Sequence, residues 1–234
     1  MTVLAQGTAN GSIMHVIQDI APGRGTQRTL LVALPGAGDR AQDLIDQQFV
    51  RALRERQLPV DVFAVDVQLD NYLDGNVVRQ LADKVITPAQ EAGWHSIWLM
   101  GISLGGMGAL AYVRERPRDI AGAILLAPFL GTRGLIAEVT RAGGLDLWHP
   151  GAIAQGDEER HLVAWLKYKQ AGDLDTPPVY LGYGHEDRFA AASQLLSQRL
   201  LAERIVTAAG GHDWPTWLAL WCRMLDHRVF ALAL

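Results

Sequence analysis

This 234-residue sequence has a single cysteine, no long apolar run and no excess of basic residues. Its only cysteine, Cys222, cannot form an internal disulfide, so nothing indicates an oxidising compartment and the composition suits a reducing cytoplasm. The most hydrophobic run, Ile120 to Leu130, is broken by Gly122 and Pro128 and is far shorter than the roughly 20 residues of a membrane-spanning helix. We therefore expect a cytoplasmic protein without a membrane span.

The charge balance argues against a nucleic-acid partner. The chain has 21 basic and 25 acidic residues, a net charge of -4, and its basic residues are scattered rather than clustered. Nucleic-acid binding requires a positively charged surface that can neutralise phosphates, so we expect no nucleic-acid partner. The opening segment, residues 1–6, also lacks the basic and apolar regions of a secretory signal. Nothing in the sequence fixes the oligomeric state.

Short apolar runs alternate with segments of helical period along nearly the whole chain. This alternation predicts an α/β fold with a mainly parallel central sheet and helices on both faces, formed as one domain over residues 1–234. The predicted strands are residues 29–34, 60–65, 96–102, 121–127, 178–183 and 204–208. The predicted helices are residues 40–57, 74–92, 104–116, 188–202 and 213–230.

Two segments depart from the alternation. Residues 13–20 and the turn at 22–25 predict an antiparallel hairpin at the start of the fold. Residues 131–176 are too many for a simple crossover between two parallel strands, and we predict a short cap inserted over one edge of the sheet. Several aromatic residues lie in this cap, and Trp148 among them is a candidate substrate contact.

The strongest local signal is the sequence Gly101-Ile102-Ser103-Leu104-Gly105. The pattern G-x-S-x-G occurs by chance in a chain with 24 glycines, but here it follows a predicted strand and opens a predicted helix. The glycines leave room for a sharp, strained turn that would project the Ser103 hydroxyl above the sheet. This context predicts that Ser103 is a nucleophile.

A serine hydroxyl needs a base that removes its proton and an acid that orients the base. The candidate base is His212, directly after the last predicted strand, and the candidate acid is Asp187, after the strand before it. Both strand ends lie at the sheet edge where ligands bind in open α/β folds. Glu186 is the rival acid and His185 the rival base, while Asp213 has the alternative role of N-cap of the last helix.

Backbone N–H groups that stabilise a developing oxyanion are expected in two loops. One is the N–H of Leu104 at the start of the helix after Ser103, and the other is that of Ala37 in the glycine-rich loop after the first parallel strand. In that loop Gly36 lets the backbone approach a ligand closely. Tyr72, after the second parallel strand, is a further candidate for the substrate pocket, with a packing role as the alternative.

These motifs resemble those of the α/β-hydrolase superfamily, and the chain is most similar to its small, poorly characterised bacterial esterase-like members. The resemblance covers nearly the whole chain, although Pro35 stands where many relatives have histidine. It implies the α/β-hydrolase fold and a covalent acyl-enzyme, and hence a serine hydrolase that cleaves a carboxylic ester or related acyl bond. Its expected partner is a small-molecule acyl substrate with an apolar or aromatic acyl group.

Two alternatives remain open on the same scaffold: an acyltransferase or thioesterase, and a non-catalytic ligand-binding module. Metal binding has little support, because the seven histidines do not show ligand spacing. No flavin, pyridoxal or nicotinamide motif is present either. We therefore expect chemistry without a metal or cofactor.

Overall fold

A computed structural model describes residues 2–6, 14–23 and 28–230, with the backbone alone at 2–6. Within these ranges, eight strands form one sheet in the order β1-β2-β4-β3-β5-β6-β7-β8. Their bounds are β1 Thr2–Gln6, β2 Met14–Asp19, β3 Thr29–Leu34, β4 Val60–Val65, β5 Ser96–Ile102, β6 Gly122–Leu126, β7 Val179–Gly184 and β8 Ile205–Ala208. Strands β3 to β8 are parallel to their neighbours within that set, while β2 runs antiparallel to both β1 and β4.

Helices connect the strands. Their bounds are α1 Ala41–Asp46, α2 Phe49–Glu55, α3 Leu69–Leu73, α4 Val77–Leu81, α5 Thr87–Glu91, α6 Leu104–Glu115, α7 Arg133–Arg141, α8 Glu158–Tyr168, α9 Ala190–Ser197 and α10 Trp214–Asp226. Buried residues of α1, α2 and α10 form one apolar layer with one face of the sheet, and those of α4 to α9 form the other layer. In the described part of the chain, no helix is long and apolar enough to cross a membrane.

The hairpin predicted at the start of the fold is partly wrong. Strand β2 is antiparallel as predicted, but its partners are β1 and β4 instead of the strand after the 22–25 turn. Strands β2 and β3 therefore lie on opposite sides of β4. Residues 24–27 of the predicted turn and residue 13 of the predicted strand lie outside the described residues.

Two predicted helices are interrupted. Residues 40–57 form α1 and α2, with Gln48 between them at a φ of 69°, a left-handed conformation that ends the first helix. Residues 74–92 contain α4 and α5, joined by a π-helical turn at Ala82–Ile86. Pro88 follows this turn, and proline has no N–H and clashes with the carbonyl four residues earlier, so the wider turn accommodates it.

The interval 131–176 lies between β6 and β7 and contains α7 and α8. Leu135, Ile136 and Val139 of α7 and Leu162 and Leu166 of α8 are buried in the same layer as α6. The interval therefore shares its apolar core with the rest of the protein. Its role as a cap over the site remains a prediction.

Candidate active site

Ser103 is the single residue between β5 and α6. Its backbone has φ 52° and ψ -113°, a conformation that non-glycine residues rarely adopt and that costs of the order of 1–3 kcal/mol. Ser103 as a whole residue is only 8% exposed. Such strain persists only where the surrounding structure holds it, and here a strand and a helix fix the residue from both sides.

The glycines around Ser103 allow this turn. A Cβ on Gly101 would lie 2.2 Å from the carbonyl oxygen of Gly105, and a Cβ on Gly105 would lie 2.3 Å from the carbonyl oxygen of Leu34. Both contacts are with backbone atoms, which cannot move aside as a flexible side chain can. The close approach of β3, β5 and α6 at this point therefore requires glycine at positions 101 and 105.

Asp187 is held in a tight turn after β7. Its Oδ1 accepts a hydrogen bond from the backbone N–H of Phe189 at 2.7 Å, and its side chain is 1% exposed. The neighbouring Glu186 is exposed and its carboxylate accepts from the backbone N–H of Gly210. The two rival acids thus face different partners, and Asp187 is the one directed inward.

His212 lies in the loop between β8 and α10 and links the other two residues. Its Nδ1 is 2.8 Å from Oδ2 of Asp187, and its Nε2 is 3.0 Å from Oγ of Ser103. Since a carboxylate has no hydrogen to donate, Nδ1 carries the proton in this arrangement and Nε2 accepts from the Ser103 hydroxyl. His185, the rival base, is exposed and takes no part in these two hydrogen bonds.

Two aromatic rings fix the imidazole of His212. The rings of Phe189 and Trp217 each lie 4.9 Å from it and nearly perpendicular to it. The His212 side chain is 6% exposed, so the hydrogen bonds on both of its nitrogens are largely shielded from water. Packing and hydrogen bonding together leave the ring one orientation.

Asp213 is the N-cap of α10, which is the alternative role that the sequence predicts for it. Its Oδ1 accepts from the backbone N–H of Thr216 at 2.9 Å, and Pro215 stands in the first turn of the helix. Hydrogen bonds from Thr216 hold the pKa of the Asp213 carboxyl below its ordinary value. This cap anchors the loop that carries His212.

The predicted oxyanion donors lie beside Ser103. Leu104 is the first residue of α6, where the backbone N–H has no acceptor within the helix. Ala37 and Leu104 line the same cavity as Ser103. A Cβ on Gly36 would lie 3.5 Å from Cβ of Ser103, so the Gly36 backbone lies close to the serine, while its contact with a ligand stays a prediction.

Two cavities border Ser103. The first, of about 620 Å³, we call the apolar chamber, after its apolar walls Leu69, Tyr72, Leu73, Met107, Phe129 and Phe189, although Asp157, Glu158 and Glu159 also line it. The second, of about 550 Å³, we call the histidine chamber, and its walls include Gly36, Asp39, Gln47, His212, Trp214 and Trp217. Ala37, Ser103 and Arg188 border both chambers.

Of the two aromatic residues predicted to contact substrate, Tyr72 lines a chamber at Ser103 and Trp148 does not. Tyr72 lines the apolar chamber and is 4% exposed, and its burial raises the pKa of its hydroxyl above the ordinary value. Trp148 is not among the residues that line either chamber, so the predicted contact is wrong. It is 1% exposed, its ring is part of the apolar core shared with α6, and its indole N–H donates to Glu138 at 2.8 Å.

Sequence reasoning missed several residues around the chambers. Leu69 and Leu73 are apolar residues of α3 that line the apolar chamber and are 53% and 67% exposed. Asp39 follows the Gly36-Ala37 loop and lines the histidine chamber. Burial and the nearby Asp43 raise its pKa, which His212 partly offsets. Its position three residues after Gly36 was the only signal in the sequence.

Within the described ranges, no group of three histidine, cysteine or acidic residues is arranged to hold a metal ion.

A protein-family model matches part of the sequence. The sequence model of the serine aminopeptidase S33 family matches residues 75–156, which include Ser103 but neither Asp187 nor His212. No match was found among curated protein sequences.

Solved structures match over almost the whole length. Fluorophosphonate-binding serine hydrolase F of Staphylococcus aureus is 14% identical, with 97% of both chains covered and a TM-score of 0.68. Est1E of Butyrivibrio proteoclasticus is 16% identical, with 97% of both chains covered and a TM-score of 0.66. A putative aryl esterase of Burkholderia cenocepacia is 16% identical, with 100% of both chains covered and a TM-score of 0.60.

These similarities confirm the predicted fold class. The sheet has the expected parallel strands with helices on both faces, and the similar structures share its fold at low sequence identity. The protein therefore has the α/β-hydrolase fold. The similar structures include a serine hydrolase and a putative aryl esterase, by their names.

Proposed function

We propose that this protein is a serine hydrolase that cleaves a carboxylic ester or related acyl bond, with Ser103 as nucleophile, His212 as general base and Asp187 as the acid that orients it. The observation that carries the proposal is the buried row of hydrogen bonds from Ser103 Oγ through His212 to Asp187, at 3.0 and 2.8 Å. A serine at hydrogen-bonding distance from an oriented imidazole is the arrangement that activates a hydroxyl at neutral pH.

The reaction would proceed in two halves. In the first, His212 Nε2 takes the hydroxyl proton as Oγ of Ser103 bonds to the substrate carbonyl carbon, and the carbonyl oxygen becomes an oxyanion facing the N–H groups of Leu104 and Ala37. The imidazolium then gives its proton to the leaving group as the carbon–heteroatom bond breaks. In the second half, water loses a proton to His212 and attacks the acyl-enzyme, which releases the acid and restores Ser103.

The same proton transfer assigns the two chambers. His212 must reach the leaving group to protonate it, so the leaving group belongs in the histidine chamber, which His212 lines. The acyl group then extends into the apolar chamber, where Met107 and Phe129 offer apolar surface and no histidine is present. This assignment makes the apolar chamber the part of the site that selects the acyl group.

Relatives of similar fold support an acyl substrate. One of the solved structures is Est1E with ferulic acid bound, at 16% identity and a TM-score of 0.60. Another is the S-formylglutathione hydrolase of Staphylococcus aureus, at 12% identity and a TM-score of 0.64. Both names describe compounds with acyl groups, and the apolar chamber of about 620 Å³ is within the range of small-molecule pockets.

The decisive experiment is active-site labelling. We expect a fluorophosphonate probe to attach covalently to the native protein and peptide mapping by mass spectrometry to locate it on Ser103. Heat-unfolded protein should not react, because an isolated serine hydroxyl is a weak nucleophile. Ser193, which is fully buried and whose Oγ has no hydrogen-bond partner among the described residues, provides an internal control peptide that should stay unmodified. Absence of labelling at Ser103 would reject the proposal.

The chamber assignment leads to a separate prediction about chain length. Leu69→Ala with Leu73→Ala removes apolar wall from the acyl side, so we expect kcat/KM for p-nitrophenyl octanoate to fall by about tenfold, which is about 1.4 kcal/mol of transition-state binding. Turnover of p-nitrophenyl acetate should change little, because its acyl group is too short to reach that wall. Steady-state kinetics on both esters checks this.

A matched double variant controls for the loss of exposed leucines. Leu147 and Leu174 are 64% and 99% exposed and line neither chamber, so their replacement by alanine should leave the ratio of the two ester activities unchanged. If the α3 variant lowers both ester activities equally, the acyl chain does not lie against α3.

A further inference from the structure

A third cavity, of about 420 Å³, lies between α7 and α9, beyond the apolar chamber. We call it the α7–α9 groove. Its walls are apolar and include Ile136, Ala137, Phe189, Ala191 and Ala192. Ile136 and Ala192 are buried while Ala137 is exposed, so the groove deepens from an open rim to a closed floor. Its volume is within the range of small-molecule sites.

Three arginines surround these apolar walls. Arg133 and Arg141 come from the two ends of α7, and Arg188 comes from the turn before α9. All three are exposed, and within the described part of the chain none is at ion-pair distance from a carboxylate. The residues that line the groove therefore include three cations and no carboxylate, although the whole chain has a net charge of -4.

Two carboxylates close to the groove, Glu138 and Glu159, are already engaged, and Glu159 accepts from the backbone N–H of Thr132 at 2.7 Å. Glu138 feels Arg141, but both of its oxygens are 2.8 Å from guanidinium nitrogens of Arg160, and it also accepts from Trp148. These bonds, with Arg160 as the main cause, lower the pKa of Glu138 to about 2. A carboxylate so fully held by Arg160 is not free to turn towards the groove.

We propose that the α7–α9 groove is a binding site for an anionic amphiphile, specifically a medium-chain alkyl carboxylate. The apolar walls would bury the alkyl chain, and the arginines would bind the carboxylate, for which the planar guanidinium has a matching donor geometry. Neither part of the site suits a neutral polar ligand or a cation. The site is distinct from the chambers at Ser103, although it adjoins them.

Two residues connect the groove to the proposed active site. Phe189 lines both the groove and the apolar chamber, and its ring packs against His212 at 4.9 Å and Phe129 at 5.7 Å. Arg188 also lines both cavities. The alkyl chain of a bound carboxylate would therefore contact Phe189, which packs against the imidazole, and the groove is placed to sense a free acid near the site.

Calorimetric titration of the full chain with decanoate tests the proposal. The Ser103→Ala variant is used as background, so that binding is measured without turnover, and octyl glucoside provides a neutral amphiphile. We expect decanoate to bind to the groove at least tenfold more tightly than octyl glucoside does. Arg133→Gln with Arg141→Gln should weaken this binding to the groove at least tenfold, and Ala137→Trp, at an exposed position, should abolish it by filling the groove.

A charge-matched control separates the groove from a general loss of positive charge. Arg79→Gln with Arg118→Gln removes two exposed arginines that line no part of the groove, and should leave decanoate affinity unchanged. Equal affinity for the two amphiphiles, equal weakening by both double variants, or unchanged binding in Ala137→Trp would each overturn the proposal. Binding here is independent of hydrolysis, so failure of one proposal can be distinguished from failure of the other.

Discussion

Replacing Ser103 by alanine is expected to lower kcat/KM for p-nitrophenyl acetate by about 10⁴- to 10⁶-fold, the range found when a nucleophile of this kind is removed. The variant keeps His212, Asp187 and the N–H groups of Leu104 and Ala37, but it has no hydroxyl 3.0 Å from Nε2 to attack the carbonyl. The small remaining rate would come from oxyanion stabilisation and binding alone. Steady-state kinetics with purified protein measures the loss.

The fold should survive this change. Alanine at position 103 adopts the same strained φ of 52° at the same cost as serine, and no neighbour loses a packing contact larger than one oxygen atom. The thermal unfolding midpoint should therefore remain near that of the wild type. Ser193→Ala, at a buried serine outside both chambers, is the matched control and should keep full activity. Wild-type turnover by Ser103→Ala would show that hydrolysis does not pass through this residue.

The parallel part of the sheet could be predicted from the sequence because its strands are buried on both faces. Residues 29–34, 60–65 and 96–102 are predicted with the bounds that the structure has. Such strands are continuous apolar runs, and the sequence shows them directly. The antiparallel edge was harder, since the pairing of β2 with β4 instead of β3 depends on contacts between distant segments. Local propensity contains no information on that choice.

The residues with chemistry at the site could be predicted because each follows a strand that the sequence reveals. Ser103, Asp187 and His212 come after β5, β7 and β8, and the topology brings those strand ends to one edge. The chamber walls could not be predicted in this way. Leu69 lines the apolar chamber only because α3 packs there, while the prediction for Trp148 failed because burial of a large aromatic ring within the cap was equally consistent with its sequence.

The second large effect is expected from Asp187→Asn, which should lower kcat by about 10⁴-fold, as the equivalent change does in a serine protease. The amide oxygen can still accept from the N–H of Phe189, as Oδ1 does now, and this turns the amide NH₂ towards Nδ1 of His212. An NH₂ donor selects the tautomer in which Nε2 carries the proton. Nε2 then cannot accept the Ser103 proton, so the base is lost while the geometry is kept.

The neighbouring acid makes this prediction specific. Glu186→Gln changes the adjacent carboxylate in the same way, but Glu186 accepts from the N–H of Gly210, and an amide oxygen can replace it there. We therefore expect wild-type kcat from Glu186→Gln, and slow fluorophosphonate labelling only from Asp187→Asn. Because substrate binding does not involve the buried Asp187, KM should change little in either variant. A large loss in Glu186→Gln with full activity in Asp187→Asn would mean that Glu186 orients the imidazole during catalysis, and that the hydrogen bond from His212 to Asp187 is a structural contact alone.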